Sequence, residues 1–378
     1  MGSTDAAPRG ALASVQVLRA LAALTVVFGH AQQAALRAAH DGGADFSRLN
    51  VLPWGAGVDL FFVISGFIMV YASEGLFAQR GAARDFLTRR LIRIAPLYWG
   101  ALMVYVALHG VLGAAEHAGY VTPASLAASF AFLPYDTFRD GVPQPVYSLG
   151  WTLNYEMFFY VVFAVFIAHK RVGAVVRVTM VLAALVALGA ALSPEAAPLK
   201  TWSQPITIEF ALGMAIALTM RAGVTIPTWA RVGLAGLALL ALFFDPMASS
   251  LQGAQWITPN DFARVASWGL PAAAIMAAAT LGGAPWRPAG RLAALAVLLG
   301  DASYALYLTH PFVVTAAQKL GHKLHVAGGA SAWALILAEL ALCACVAIAV
   351  HLRLERPLTR RVADLAKGRA LSASTKPA

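Results

Sequence analysis

The sequence is short of charge. Asp, Glu, Lys and Arg make up 12% of its 378 residues, against about 25% in soluble domains, which excludes an ordinary water-soluble globular domain. Cysteine is almost absent. The two residues, Cys343 and Cys345, lie two apart on one apolar run, so they face different sides of a helix. A structural disulfide between them is excluded, and they say nothing of redox compartment. Three familiar chemistries are also missing. There is no Walker A loop, no Gly-x-Ser-x-Gly elbow and no His-Glu-x-x-His motif, and no metal site is expected. One His-x4-Asp spacing, His40 to Asp45, is read as a chance match, because the topology below places it in an outer loop.

What fills the sequence is apolar residues, 60% of the total. They come in continuous runs of roughly 18 to 23, the length that crosses a bilayer as a helix. The expected fold is therefore an all-α polytopic membrane protein of about ten transmembrane helices: 14–36, 57–74, 89–110, 147–168, 173–192, 203–220, 228–244, 264–282, 301–319 and 331–352. The apolar segment 121–134 is short and ends in Leu133-Pro134, so it is read as re-entrant or interfacial. The first run is long and interrupted by Arg19, which favours an uncleaved span over a signal peptide.

The basic residues support this count. With the N-terminus in the cytoplasm, 21 of the 28 Lys and Arg fall at cytoplasmic ends and loops, and both termini are inside. The other seven are Arg37, Arg48, Arg139, Lys200, Arg264, Lys319 and Lys323. The net charge of +10 is mostly this topology signal. It does not argue for nucleic acid, and basic loops are also able to hold anionic lipid or a phosphorylated cofactor. Residues 1–356 are read as one transmembrane domain and 357–378 as a basic, disordered cytoplasmic tail.

Ionisable residues inside spans are costly and are functional candidates for that reason. Arg19 and His30 lie eleven residues apart on the first helix, close to three turns, so they share one face about 16 Å apart along the axis. Asp59 enters the second span at a depth comparable with His30. A carboxylate there is placed to orient an imidazole and raise its basicity. Ser65-Gly66 is read as close helix packing rather than a nucleophile. Arg90 and Arg93 project together from the third helix, and paired arginines suit bidentate phosphate contacts. Asn154 and Glu156 sit among aromatics on the fourth span. Glu156 either binds a sugar hydroxyl or neutralises an arginine. Asp301, Ser303, Tyr304 and His310 follow at the ninth span. His310 is a second candidate base, and beside Pro311 it also suits the structural task of filling proline-freed backbone. Glu355-Arg356 reads as a local ion pair, and Glu209 has no assigned task.

At these residues the chain resembles the acyltransferase-3 family of bacterial membrane O-acyltransferases. The matching stretches are Arg19 with ten residues before His30, GVDLFFVISGFIM at 57–69, RRLIRIAPLYW at 89–99, SLGWTLNYEMFFY at 148–160 and GDASYALYLTHPF at 300–312. They occur in the family's order, and the fourth is most similar to exopolysaccharide acetyltransferases of the succinoglycan type. The resemblance implies an inner-membrane enzyme with acetyl-CoA as donor substrate and a glycan acceptor, possibly lipid-linked. It implies that His30 is the essential histidine and that Arg19, Arg90 and Arg93 handle the donor. The acceptor glycan, the acyl chain and the oligomeric state stay open.

The residues fit that chemistry. A thioester is already activated, so the enzyme must orient a hydroxyl, remove its proton and stabilise an oxyanion. A histidine, whose ordinary pKa of about 6.5 lies near working pH, suits the proton transfer. The arginines would hold the phosphates at the cytoplasmic mouth while the acyl group travels through the bundle to His30. His30 serves either as base or as transient acyl carrier. The alternative is a transporter or flippase for a lipid-linked saccharide, which predicts inverted repeats with broken helices in both halves.

Overall fold

A computed structural model describes residues 9–111, 120–245, 261–283, 286, 288–323 and 329–374. Arg287 and Lys376 of the inner basic set lie outside them. Among the described residues there is no strand, only an isolated bridge between Asp136 and Gln144. The main helices are α1 (Arg9–Asp41), α2 (Ala56–Ala72), α3 (Ala82–Val111), α4 (Pro123–Phe130), α5 (Trp151–Phe166), α6 (Arg171–Leu192), α7 (Ile208–Arg221), α8 (Thr228–Phe243), α9 (Phe262–Thr280), α10 (Gly290–Asp301), α11 (Ser303–Lys323), α12 (Gly329–Val350) and α13 (Arg356–Ser374).

Each of the ten apolar segments falls on a helix. Among the described residues six helices are long and apolar enough to cross a membrane, or seven if α10 and α11 count as one bent span, and α2 and α8 are shorter apolar helices. This is a multi-pass membrane protein. The segment 121–134 holds only α4, whose eight residues extend about 12 Å, too little to cross a bilayer. Two stretches differ from the sequence reading. The apolar run at 290–301, left in a loop there, is the helix α10, and it meets α11 at a 78° bend. The basic tail, expected without structure, continues as the helix α13, along which Leu358, Val362 and Leu365 recur at helical spacing.

The chain divides into two compact units. The first joins Met1–Ala72 to Gln204–Ile348, and the second joins Ser73–Ser203 to Ala349–Ala378. In the first, α2 packs most extensively on α7, and glycine makes the approach possible. A Cβ at Gly66 would overlap the Phe210 carbonyl, and one at Gly213 the Val63 carbonyl. Absence of side chains lets two backbones meet where lipid supplies no hydrophobic push. The loop after α1 folds back on that helix: Leu49 N donates to Gln32 Oε1 at 2.6 Å and Arg48 to Gln33 Oε1 at 2.9 Å. On α12, Cys343 is buried and Cys345 exposed, the opposite facing that their spacing requires.

In the second unit α3 packs on α5. Gly150 sits beneath Tyr98, whose ring a Cβ would strike. Phe86, Phe159, Tyr160 and Phe163 form an aromatic layer between the helices.

Candidate active site

The first unit carries the stripe of α1 that the sequence singles out, and α11 packs against it. Arg19 is buried, and its Nε donates to Ser303 Oγ at 3.0 Å, beside the α10–α11 bend. Three turns further, the His30 ring packs on the His310 ring with centroids 4.9 Å apart and planes at 58°. Both contacts ascend in sequence on both helices, so α1 and α11 run in the same direction. Ser303 and His310 are seven residues apart, about 10.5 Å, against about 16 Å from Arg19 to His30. The length of the arginine side chain takes up the difference. Tyr304 follows Ser303 at the start of α11 and is half-buried.

Main-chain contacts set the tautomers. His30 Nδ1 lies 2.8 Å from the Val26 carbonyl, and His310 Nδ1 lies 3.2 Å from that of Leu306. A carbonyl only accepts, so in each ring Nδ1 carries the proton and Nε2 is the basic nitrogen of the neutral imidazole. His30 is half-buried. His310 is fully buried, and its Nε2 has no hydrogen-bond partner.

Asp59, expected beside His30, is engaged by a different residue, Arg264. Its carboxylate is held by a bidentate pair with Arg264, Nε to Oδ1 at 2.9 Å and Nη2 to Oδ2 at 2.8 Å. The angular position of Asp59 on α2 suits this pairing. Gly57 makes a close approach to α1, since a Cβ there would overlap the Ala22 carbonyl and the Thr25 hydroxyl. Asp59, two residues on, points about 200° away around the helix. There it joins a buried cluster. Glu209 lies close beside it, with neither oxygen reached by a donor. The Arg264 guanidinium sits 5.0 Å from the Trp268 ring centre, and Trp268 Nε1 donates to Asp245 Oδ2 at 2.9 Å. Arg264 and Trp268 flank or lie in a π-helical turn at Val265–Gly269, and Gly269 leaves the room that Glu209 occupies. Such turns insert one residue and re-aim side chains. Sequence reading counted Arg264 as an outer topology residue and left Glu209 unassigned. The available signal was an arginine at the outer end of an apolar run, against the charge bias.

The second unit holds the other candidates. The Arg90 guanidinium stands over the rings of Phe86 and Tyr160, 5.4 and 6.0 Å from their centres. Its Nε is buried without a partner. Tyr160 donates its hydroxyl to Glu156, so Glu156 belongs to the surroundings of Arg90. Arg93, on the same helix, is partly exposed. Asn154 is buried with both amide atoms unpaired. Among the described residues no group of three His, Cys, Asp or Glu is placed to hold a metal ion.

Residues 12–350 match the acyltransferase domain of the acyltransferase-3 family, and the chain belongs to that family. It is similar to the exopolysaccharide production protein ExoZ of Rhizobium meliloti (strain 1021), 33% identical over 313 residues that cover 81% of this chain and 90% of that protein. It is also similar to the acyltransferase MdmB of Streptomyces mycarofaciens, 28% identical over 377 residues that cover 92% of each. No solved structure matches it significantly.

Proposed function

We propose that this acyltransferase moves an acyl group, acetyl in the first instance, from acyl-CoA to a hydroxyl of a cell-envelope or exported glycan, with His30 at the reacting centre. The observation that carries the reading is His30 itself. It is a membrane histidine locked by Val26 with Nε2 basic, on the stripe that begins with buried Arg19. The similarity to an exopolysaccharide production protein favours a carbohydrate acceptor, lipid-linked or free.

Ten spans in the inner membrane with both termini cytoplasmic fit this reading. In that topology the first and ninth spans run the same way, as α1 and α11 do. Arg19, Arg90 and Arg93 are assigned to the phosphates of the donor, and Asn154, Glu156 and Tyr304 to polar contacts with substrate. A transporter expects broken helices in both halves of the chain; among the described residues one helix pair is broken.

The test is transfer from labelled acetyl-CoA to membrane glycan in vesicles containing the chain. Wild type should label the glycan and His30→Ala should not, with equal amounts of inserted protein. Equal labelling in both would overturn the assignment of His30.

A further inference from the structure

Resting on that reading, we propose that the two histidines divide the reaction: His30 carries the acyl group and His310 is the base that activates the acceptor hydroxyl. The argument begins with what each ring can do in place. His30 has one nitrogen for chemistry, because Nδ1 is committed to the Val26 carbonyl. Once Nε2 of His30 bears an acyl group, that ring has no lone pair left to take a proton. A second base must then stand next to it.

His310 meets the requirement. Its ring is in contact with His30. Its Nδ1 is committed to the Leu306 carbonyl, which makes Nε2 the basic atom, and Nε2 is buried with no hydrogen-bond partner. A buried polar atom left unpaired carries a desolvation cost, and such an atom beside the reacting residue marks a site that a substrate group completes. The seal over His310 also keeps water, the competing nucleophile, away from the acyl group.

The steps balance. His30 Nε2 attacks the thioester carbonyl, the carbon–nitrogen bond forms, the carbon–sulfur bond breaks and CoA leaves as the thiolate. The acceptor hydroxyl then gives its proton to His310 Nε2 while its oxygen attacks the acyl carbon. The carbon–nitrogen bond breaks, the ester forms and His30 returns neutral. His310 passes its proton on to the thiolate or to water, so the net reaction is thioester plus alcohol to ester plus thiol.

The test separates the two half-reactions in membranes containing the full chain. Exchange of labelled CoA into acetyl-CoA without acceptor reads the first, and labelling of glycan reads the second. Wild type should do both, and His30→Ala neither. His310→Gln keeps a donor for the Leu306 carbonyl but lacks a basic nitrogen. It should retain exchange while glycan transfer falls by about 10²–10⁴-fold, the typical contribution of one general base. His310→Ala should behave alike, and its retained exchange would itself report a folded site. Wild type that transfers without exchanging would overturn the acyl carrier and leave the proposed function standing. Loss of exchange in both His310 variants, or transfer that survives in either, would overturn the division. Wild type that does not transfer at all would overturn the underlying reading.

Discussion

The pair Asp59–Arg264 permits a sharp energetic prediction. Both side chains are almost wholly removed from solvent, at 0% and 4% exposure, and they are joined by two hydrogen bonds. Removing one member of such a pair typically costs about 3–5 kcal/mol, because the other charge is left buried without compensation. The cluster makes the two single losses unequal. With Asp59→Leu, Arg264 still has Glu209 close by and keeps Trp268 over its guanidinium. With Arg264→Met, Asp59 and Glu209 face each other with no cation. Arg264→Met should therefore sit at the upper end of that range and Asp59→Leu below it. The double variant, which removes both charges, should be less damaging than Arg264→Met alone, so the departure from additivity should exceed the whole cost of Asp59→Leu, as expected only for groups in contact. Thermal unfolding of the purified protein in detergent measures all three. Strict additivity would refute the pairing, as would Asp59→Leu proving the worse single change. Glycan transfer decides whether Asp59 is more than scaffold. A double variant as stable as wild type but inactive would return Asp59 to the chemistry.

Three further outcomes follow from the geometry. Arg90→Lys and Arg93→Lys keep the charge but lose the planar fork, so acetyl-CoA should bind more weakly to a protein that is still inserted; unchanged affinity in both would make these arginines topology anchors only. Gly213→Val places atoms where the Val63 carbonyl lies and should destabilise by at least about 1–3 kcal/mol, read as a lower melting temperature, whereas Gly233→Val, with open space around it, should not. A reporter fused after Ala378 should report cytoplasm and one inserted near Asp45 the outside; the same side for both would break the ten-span topology.

Helix positions were legible in the sequence because a bilayer-length apolar run has one structural outcome in lipid. The helix α10 escaped because twelve residues between a Pro-Gly stretch and a sharp bend look like neither a span nor a loop. Within the site, His30 and Arg19 could be placed on one stripe from spacing alone, since both lie on one helix. Asp59 could not. Its depth was readable, but its partner depended on the angle at which α2 meets α1. Gly57 settles that angle by close approach, a tertiary fact. Arg264, 205 positions away, had no local mark beyond its unfavourable side of the membrane. The neighbourhood of His310 and His30 was hidden for the same reason: it requires that α1 and α11 be adjacent.

That separation of 205 positions has a consequence for biosynthesis. A ribosome adds about 5–20 residues per second, so Asp59 waits on the order of 10–40 s before Arg264 exists. During that interval the carboxylate has no cation from its eventual cluster. Its place in the first turn of α2 lets it remain at the water interface while the rest of the helix inserts, which avoids the cost of about 2.5–3.5 kcal/mol that Asp carries at the centre of a span. The clasp closes only when α9 arrives, so α2 should pass from a shallow, loosely seated helix to its final depth late in synthesis. Chains truncated before Phe262 would hold α2 in that earlier state, with Asp59 reachable by water-borne reagents.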